Sequence, residues 1–140
     1  MELTAADFRA KREGLGLTQS DVAEAADVRA LTVKRWESGT SPIPQDVWQW
    51  LDHVERHFSH AAVSAAVDSI CKSGITGTVF LTYYRTQAEY DEFGRDEGPF
   101  GLANANSRKV AQALETKGYT CRFRYPGESA EIEKAKEATR

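Results

Sequence analysis

Two Thr-x-x-Asp segments, Thr4-Ala5-Ala6-Asp7 and Thr18-Gln19-Ser20-Asp21, confine the start of this chain to short helices. In each, the Thr oxygen can accept the N–H three residues on. The Asp, standing where Glu is usual, can accept the Thr N–H in return. Two helix starts this close leave room only for a brief first helix. It carries Phe8 and Leu15 as apolar candidates and ends at Gly14 or Gly16. The second helix turns Val22, Ala23 and Ala26 inward. A break at Ala26-Asp27-Val28 follows, and a third helix spans 29–38. It has Val33 and Trp36 at i, i+3, and Gly39 at its end. Two short helices meeting across a tight turn, with small residues at the crossing, are the expectation.

The third helix has two unlike faces. At about 100° per residue, Val33, Trp36 and Glu37 share one side, Leu31, Arg35 and Ser38 the other, and Lys34 lies on the flank. Residues 28–36 hold Arg29, Lys34 and Arg35 and no acid. That segment is positive inside a chain whose 18 Lys and Arg face 21 Asp and Glu, for a net charge of −3. A local basic surface is what a phosphate senses, whatever the total.

Composition excludes several classes. The longest stretch without a charged residue, 73–84, is broken by Gly74 and Gly77 and is too short for a bilayer. The N-terminus lacks the basic-then-apolar pattern of a secretory signal. Cys71 and Cys121 cannot make a disulfide framework or a closed zinc site, so a reducing, cytoplasmic setting is the default. No Ser/His/Asp order, glycine-rich phosphate loop or carboxylate pair stands out. We therefore expect no enzyme, no cofactor and no metal.

Beyond Pro44 the reading is coarser. Residues 45–72 contain no Pro or Gly and read as mostly helix. Trp48, Trp50, Leu51, Val54 and Phe58 are assigned to core or inter-module packing. Residues 78–84 read as a strand. A short helix follows at 86–93, with Ala88, Tyr90 and Phe93 apolar, and then a loop at 94–101. Residues 104–117 read as a helix ended by Gly118, with Val110, Ala113 and Leu114 inward. Residues 120–125 read as a second strand stopped by Pro126. The tail, 128–140, is charged, with Ile132 its one aliphatic anchor. The fold expected is α+β: an all-α N-terminal bundle at 1–58, a connecting helix at 59–76, and a small β-α-α-β dimerisation domain at 77–127. Neither module alone buries much, which argues for self-association.

The spaced residues Arg12, Leu17-Thr18-Gln19, Val22-Ala23, Val28, Thr32-Val33 and Arg35-Trp36-Glu37-Ser38-Gly39 resemble the Xre/Cro/cI-type helix-turn-helix family. The resemblance covers about residues 5–55. A narrower likeness continues through Ile43-Pro44 and Asp46-Val47, with echoes at 80–93 and 107–114. It is to two-domain regulators that include anti-CRISPR-associated repressors of phages. Two positions depart from the pattern: Asp27 stands at the turn usually held by Gly, and Arg29 at the cap usually held by Ser or Thr. The resemblance implies an internal ion pair between Arg12 and Glu37. It also implies double-stranded DNA as partner, bound by a homodimer acting as a repressor.

On that reading the third helix enters the major groove. Arg35, Lys34, Leu31 and Ala30 read bases: Arg pairs with guanine, Leu meets a thymine methyl, and Ala permits close approach. Thr18, Gln19 and Ser20 face phosphate at a helix N-terminus. Arg29, Thr32, Ser38, Thr40 and Ser41 are further backbone candidates. Two alternatives stay open. One is an antitoxin-like module whose main partner is a protein. The other is an RNA binder using Arg122 and Arg124, which alternate with Cys121, Phe123 and Tyr125. His53, His57 and His60 recur at i, i+4, i+7. The plain reading is a solvated face, and a pH-sensitive interface or a metal site are the sharper ones.

Overall fold

Helical residues run without a break from Gln45 to Ser73 in the computed structural model, which describes residues 2–128. The charged tail after Glu128, Ile132 included, lies outside the described residues. The chain divides into two compact units, residues 1–62 and 63 onward.

The N-terminal unit is all-helical. It comprises α1 (Ala5–Gly14), α2 (Gln19–Ala26), α3 (Ala30–Ser38), α4 (Gln45–His53) and a π-helical stretch, Val54–His60. Both Thr-x-x-Asp segments form reciprocal capping boxes at the starts of α1 and α2. Asp27 closes α2 in the left-handed conformation, φ 55° and ψ 49°. Asp tolerates that region better than most residues, so the turn does without a glycine. Arg29 is the residue before α3 and gives it no side-chain cap, so the helix begins at Ala30. Phe8 lies at the centre of the core, with its ring edge-on to Trp36 at 6.4 Å and to Trp48 at 5.2 Å. Leu15, Leu17, Val22, Ala23, Val33, Val47, Leu51 and Val54 complete it. Trp50 is half-buried.

Phe58 is not core, contrary to the sequence reading: it is 54% exposed. A π-helix repeats near i+5 rather than i+4. The residue that follows Val54 into the interior is therefore Ser59, which is buried, and Phe58 turns outward beside the His53 ring.

The second unit holds most of α5 (Ala61–Ser73), then β1 (Thr78–Thr82), α6 (Gln87–Phe93), α7 (Phe100–Thr116) and β2 (Thr120–Arg124). The strands pair in parallel, Thr78 opposite Thr120 through Thr82 opposite Arg124. Side chains alternate across a sheet. Val79, Leu81 and Cys121 therefore face Val110, Ala113 and Leu114 of α7, and Tyr119, with Val63, Ala66, Val67 and Ile70 of α5, completes the cluster. Cys71 and Cys121 are free thiols.

Two expectations for this unit are corrected. Helix α7 begins at Phe100, four residues before the reading from sequence. Its first N–H is accepted by the Gln87 side chain, whose amide also donates to Gly98. On α6 only Tyr90 is buried, against Tyr84, while Ala88 and Phe93 are exposed. Gly94 follows because a Cβ there would lie 2.6 Å from the Tyr90 carbonyl oxygen. Asn104, itself buried, accepts the Tyr84 N–H and donates to the Tyr84 carbonyl, continuing the sheet with a side chain. Among the described residues no helix is long and apolar enough to cross a membrane.

Candidate nucleic-acid interface

Helix α3 is held by the side that faces the core. Val33 and Trp36 are buried, while Leu31, Lys34 and Arg35 are exposed. Leu31 is 53% exposed, a large aliphatic side chain kept in water on a helix that has apolar neighbours available on its other face. Gly39, at φ 80°, ends the helix in the left-handed region.

The inner side also carries a charge network. Arg12 Nε donates to Glu37 Oε2 at 2.6 Å and Nη2 donates to Oε1 at 2.9 Å. This two-pronged fit suits a planar guanidinium. The third nitrogen, Nη1, donates to the Leu17 carbonyl, which leads into α2. Gln19 Nε2 donates to Glu37 Oε1 at 3.1 Å. One carboxylate thus ties α1, the start of α2 and α3 together. The side chains of Arg12 and Glu37 are only 10% and 4% exposed.

Burial pushes the Glu37 carboxyl up, but hydrogen bonds from Arg12 and Gln19 and the Arg12 charge outweigh it. The net pKa lies below its usual 4.5. A carboxylate depressed on folding stabilises the fold fully above its unfolded value and loses that contribution as pH falls toward its folded value. The N-terminal unit should therefore lose stability on acidification below about pH 4.5. Denaturant titrations followed by tryptophan fluorescence across that range measure the loss. Glu37→Gln should flatten that part of the profile.

The sequence candidates fall into three groups in space. Thr18, Gln19 and Ser20 from the first turn of α2 line one shallow depression with Ala30 and Lys34 of α3, and Arg9 and Arg12 of α1. The N–H groups of a first helical turn have no intrahelical acceptor, so this depression is chemically suited to an anion. Leu31 and Arg35 stand outside it, on the outward face. Ser38, Thr40 and Ser41 form the third group. The Ser38 and Thr40 hydroxyls share a hydrogen bond of 2.8 Å, and the Arg35 carbonyl accepts the N–H groups of Thr40 and Ser41. Arg29 is exposed before α3 and Thr32 half-buried within it.

Arg9 is the residue that the sequence reading misses. Its Nε pairs with Glu13 at 3.2 Å, both side chains more than half exposed. The signal was available: Arg9 and Arg12 stand at i, i+3 on α1 and so share a face. His53, His57 and His60 are all exposed, and the first two rings lie 4.6 Å apart, tilted by 44°. Among the described residues no group of three or more side chains is placed to hold a metal ion.

Residues 8–51 match the family model of the helix-turn-helix, of the Xre/Cro type. The chain therefore carries a helix-turn-helix domain of the kind found in DNA-binding transcriptional regulators, and α2 and α3 fall wholly within the matched residues. No curated protein matches the chain.

Proposed function

We propose that this chain is a sequence-specific transcriptional repressor that binds an inverted repeat in double-stranded DNA as a homodimer. The observation that carries the reading is the outward face of α3: an Arg35 with no ion pair among the described residues, an exposed Leu31 and the basic Lys34 on a helix fixed from behind by the Arg12–Glu37–Gln19 network. In this proposal Arg35 reads guanine, Leu31 meets a thymine methyl, and Ala30 allows the helix to approach the base edges. The depression at the start of α2 receives a phosphate, with Lys34 and Arg9 beside it. Arg29, Thr32, Ser38, Thr40 and Ser41 supply the remaining backbone contacts.

The dimer rests on the second unit. A sheet of two strands alone is marginal. Here a two-strand parallel sheet stands with no further strand among the described residues. A second copy joined along a strand edge would extend the sheet, leave its outer face open, and set two recognition helices about 34 Å apart, in successive major grooves. Occlusion of a promoter follows from that footprint, and the family resemblance extends the proposal to the chain's own operon.

Fluorescence anisotropy on duplex DNA from upstream of its own gene, beside a scrambled duplex, tests this over a salt series. A preference of about a thousandfold for the native duplex, with a steep salt slope, is the expected result. Equal weak binding to both would overturn the operon reading. Arg35→Ala should cost about 1–3 kcal/mol and relax preference at one base pair, whereas Ser20→Ala should weaken all sequences alike. Unchanged affinity and preference in Arg35→Ala would remove α3 as the reading element.

A further inference from the structure

We propose that the outer face of the two-stranded sheet binds single-stranded nucleic acid. The register puts Thr78, Phe80 and Thr82 of β1 on one face with Thr120, Arg122 and Arg124 of β2. On the opposite face Val79, Leu81 and Cys121 pack against α5 and α7, and Phe123 at its end stays 45% exposed beside Tyr83. On the outer face Phe80 is 47% exposed. The Arg124 guanidinium lies over its ring, 4.6 Å from the centroid, and the exposed Arg122 is its cross-strand neighbour. Among the described residues neither arginine makes an ion pair and the face holds no carboxylate. Arg85 is the contrast. Stacked over Tyr125 at 4.0 Å, it is neutralised by Glu89 and Glu128.

A surface with a half-exposed aromatic ring, one guanidinium stacked on it and a second beside it, neither ion-paired among the described residues, selects its occupant by charge. A second copy seated face to face would set Arg122 and Arg124 against their own counterparts. An apolar covering helix would bury two cations without partners, which is costly. A polynucleotide satisfies both features, with phosphates meeting the guanidiniums and a base stacking on Phe80. A duplex keeps its bases stacked inside, so the ring calls for an unpaired strand. The five-residue strands span about 16 Å, room for a few nucleotides. This surface lies outside the helix-turn-helix domain and does not depend on duplex recognition.

The test uses the full chain and fluorescein-labelled oligo-dT and oligo-U of about twelve nucleotides, within the range single-strand binders cover. The wild type should bind at least one of them, and the stronger of the two identifies DNA or RNA as the source. Replacing both arginines, Arg122→Ser with Arg124→Ser, should reduce the slope of log K against log salt by about 1.4. Phe80→Leu should weaken binding about tenfold and leave that slope unchanged. Both variants change exposed side chains, and circular dichroism checks that they fold. Lys34→Ala with Arg35→Ala, which should lose the duplex, should keep the oligonucleotide. This separates a failure here from a failure of the duplex reading. No binding of either oligonucleotide by the wild type overturns the proposal. So does binding indifferent to the arginine pair, or a change of sedimenting mass in the arginine variant in place of the binding loss.

Discussion

Glu37→Ala is expected to destabilise the N-terminal unit by about 3–5 kcal/mol, because it strands a buried guanidinium without its partner. For a unit this small, that lowers the melting temperature by about 12 °C or more. Arg12 would keep only the Leu17 carbonyl, and Gln19 would lose its acceptor. The three tryptophans, Trp36, Trp48 and Trp50, all lie in this unit, so their fluorescence reads its unfolding alone. Replacing both partners, Arg12→Met with Glu37→Leu, should recover most of the loss, since no buried charge is then left alone. A loss below about 1 kcal/mol in Glu37→Ala would class the pair with exposed ones. It would also end its role as the brace behind α3.

The second large effect is Leu114→Ala. Leu114 is fully buried where α7 meets both strands and α5. Its truncation should cost about 2–5 kcal/mol, as lost apolar burial and a residual cavity. The buried part of that cluster is only Val67, Val79, Val110 and Leu114, so little remains to compensate. All five tyrosines lie in this unit, and their signal should shift while the tryptophan transition stays in place. On the homodimer reading, sedimentation at micromolar concentration should move toward 15.6 kDa and duplex affinity should fall with it. A tryptophan transition that moves equally would mean the two units unfold as one.

Local chemistry is legible in this chain, and long-range chemistry is not. The capping boxes, the turn at Asp27 and the two faces of α3 depend on residues within one or two helical turns of each other. So does the unbroken helix from Gln45. The start of α7 depends on Gln87, thirteen residues before the N–H it accepts, and no local pattern announces that. The π-helical stretch has no composition of its own; one shifted hydrogen-bond register moves Phe58 out and Ser59 in. The strands are recognisable by their residues, but their parallel pairing is a property of the whole unit. At the candidate interface, residue types mark the basic, outward face of α3 on which the proposed function rests. The depression that gathers Arg9, Lys34 and the start of α2 needs three helices in place before it exists.

The register of the sheet also sets an order of events. Every rung joins residues about forty positions apart, whereas the helical contacts of the N-terminal unit are mostly between neighbours in sequence. Local contacts form early and distant ones late. During synthesis the N-terminal unit has all its residues long before Thr120 is added, and domains fold as they emerge. A nascent chain therefore owns a finished helix-turn-helix while β1 still waits, unpaired, for the strand that will hold it.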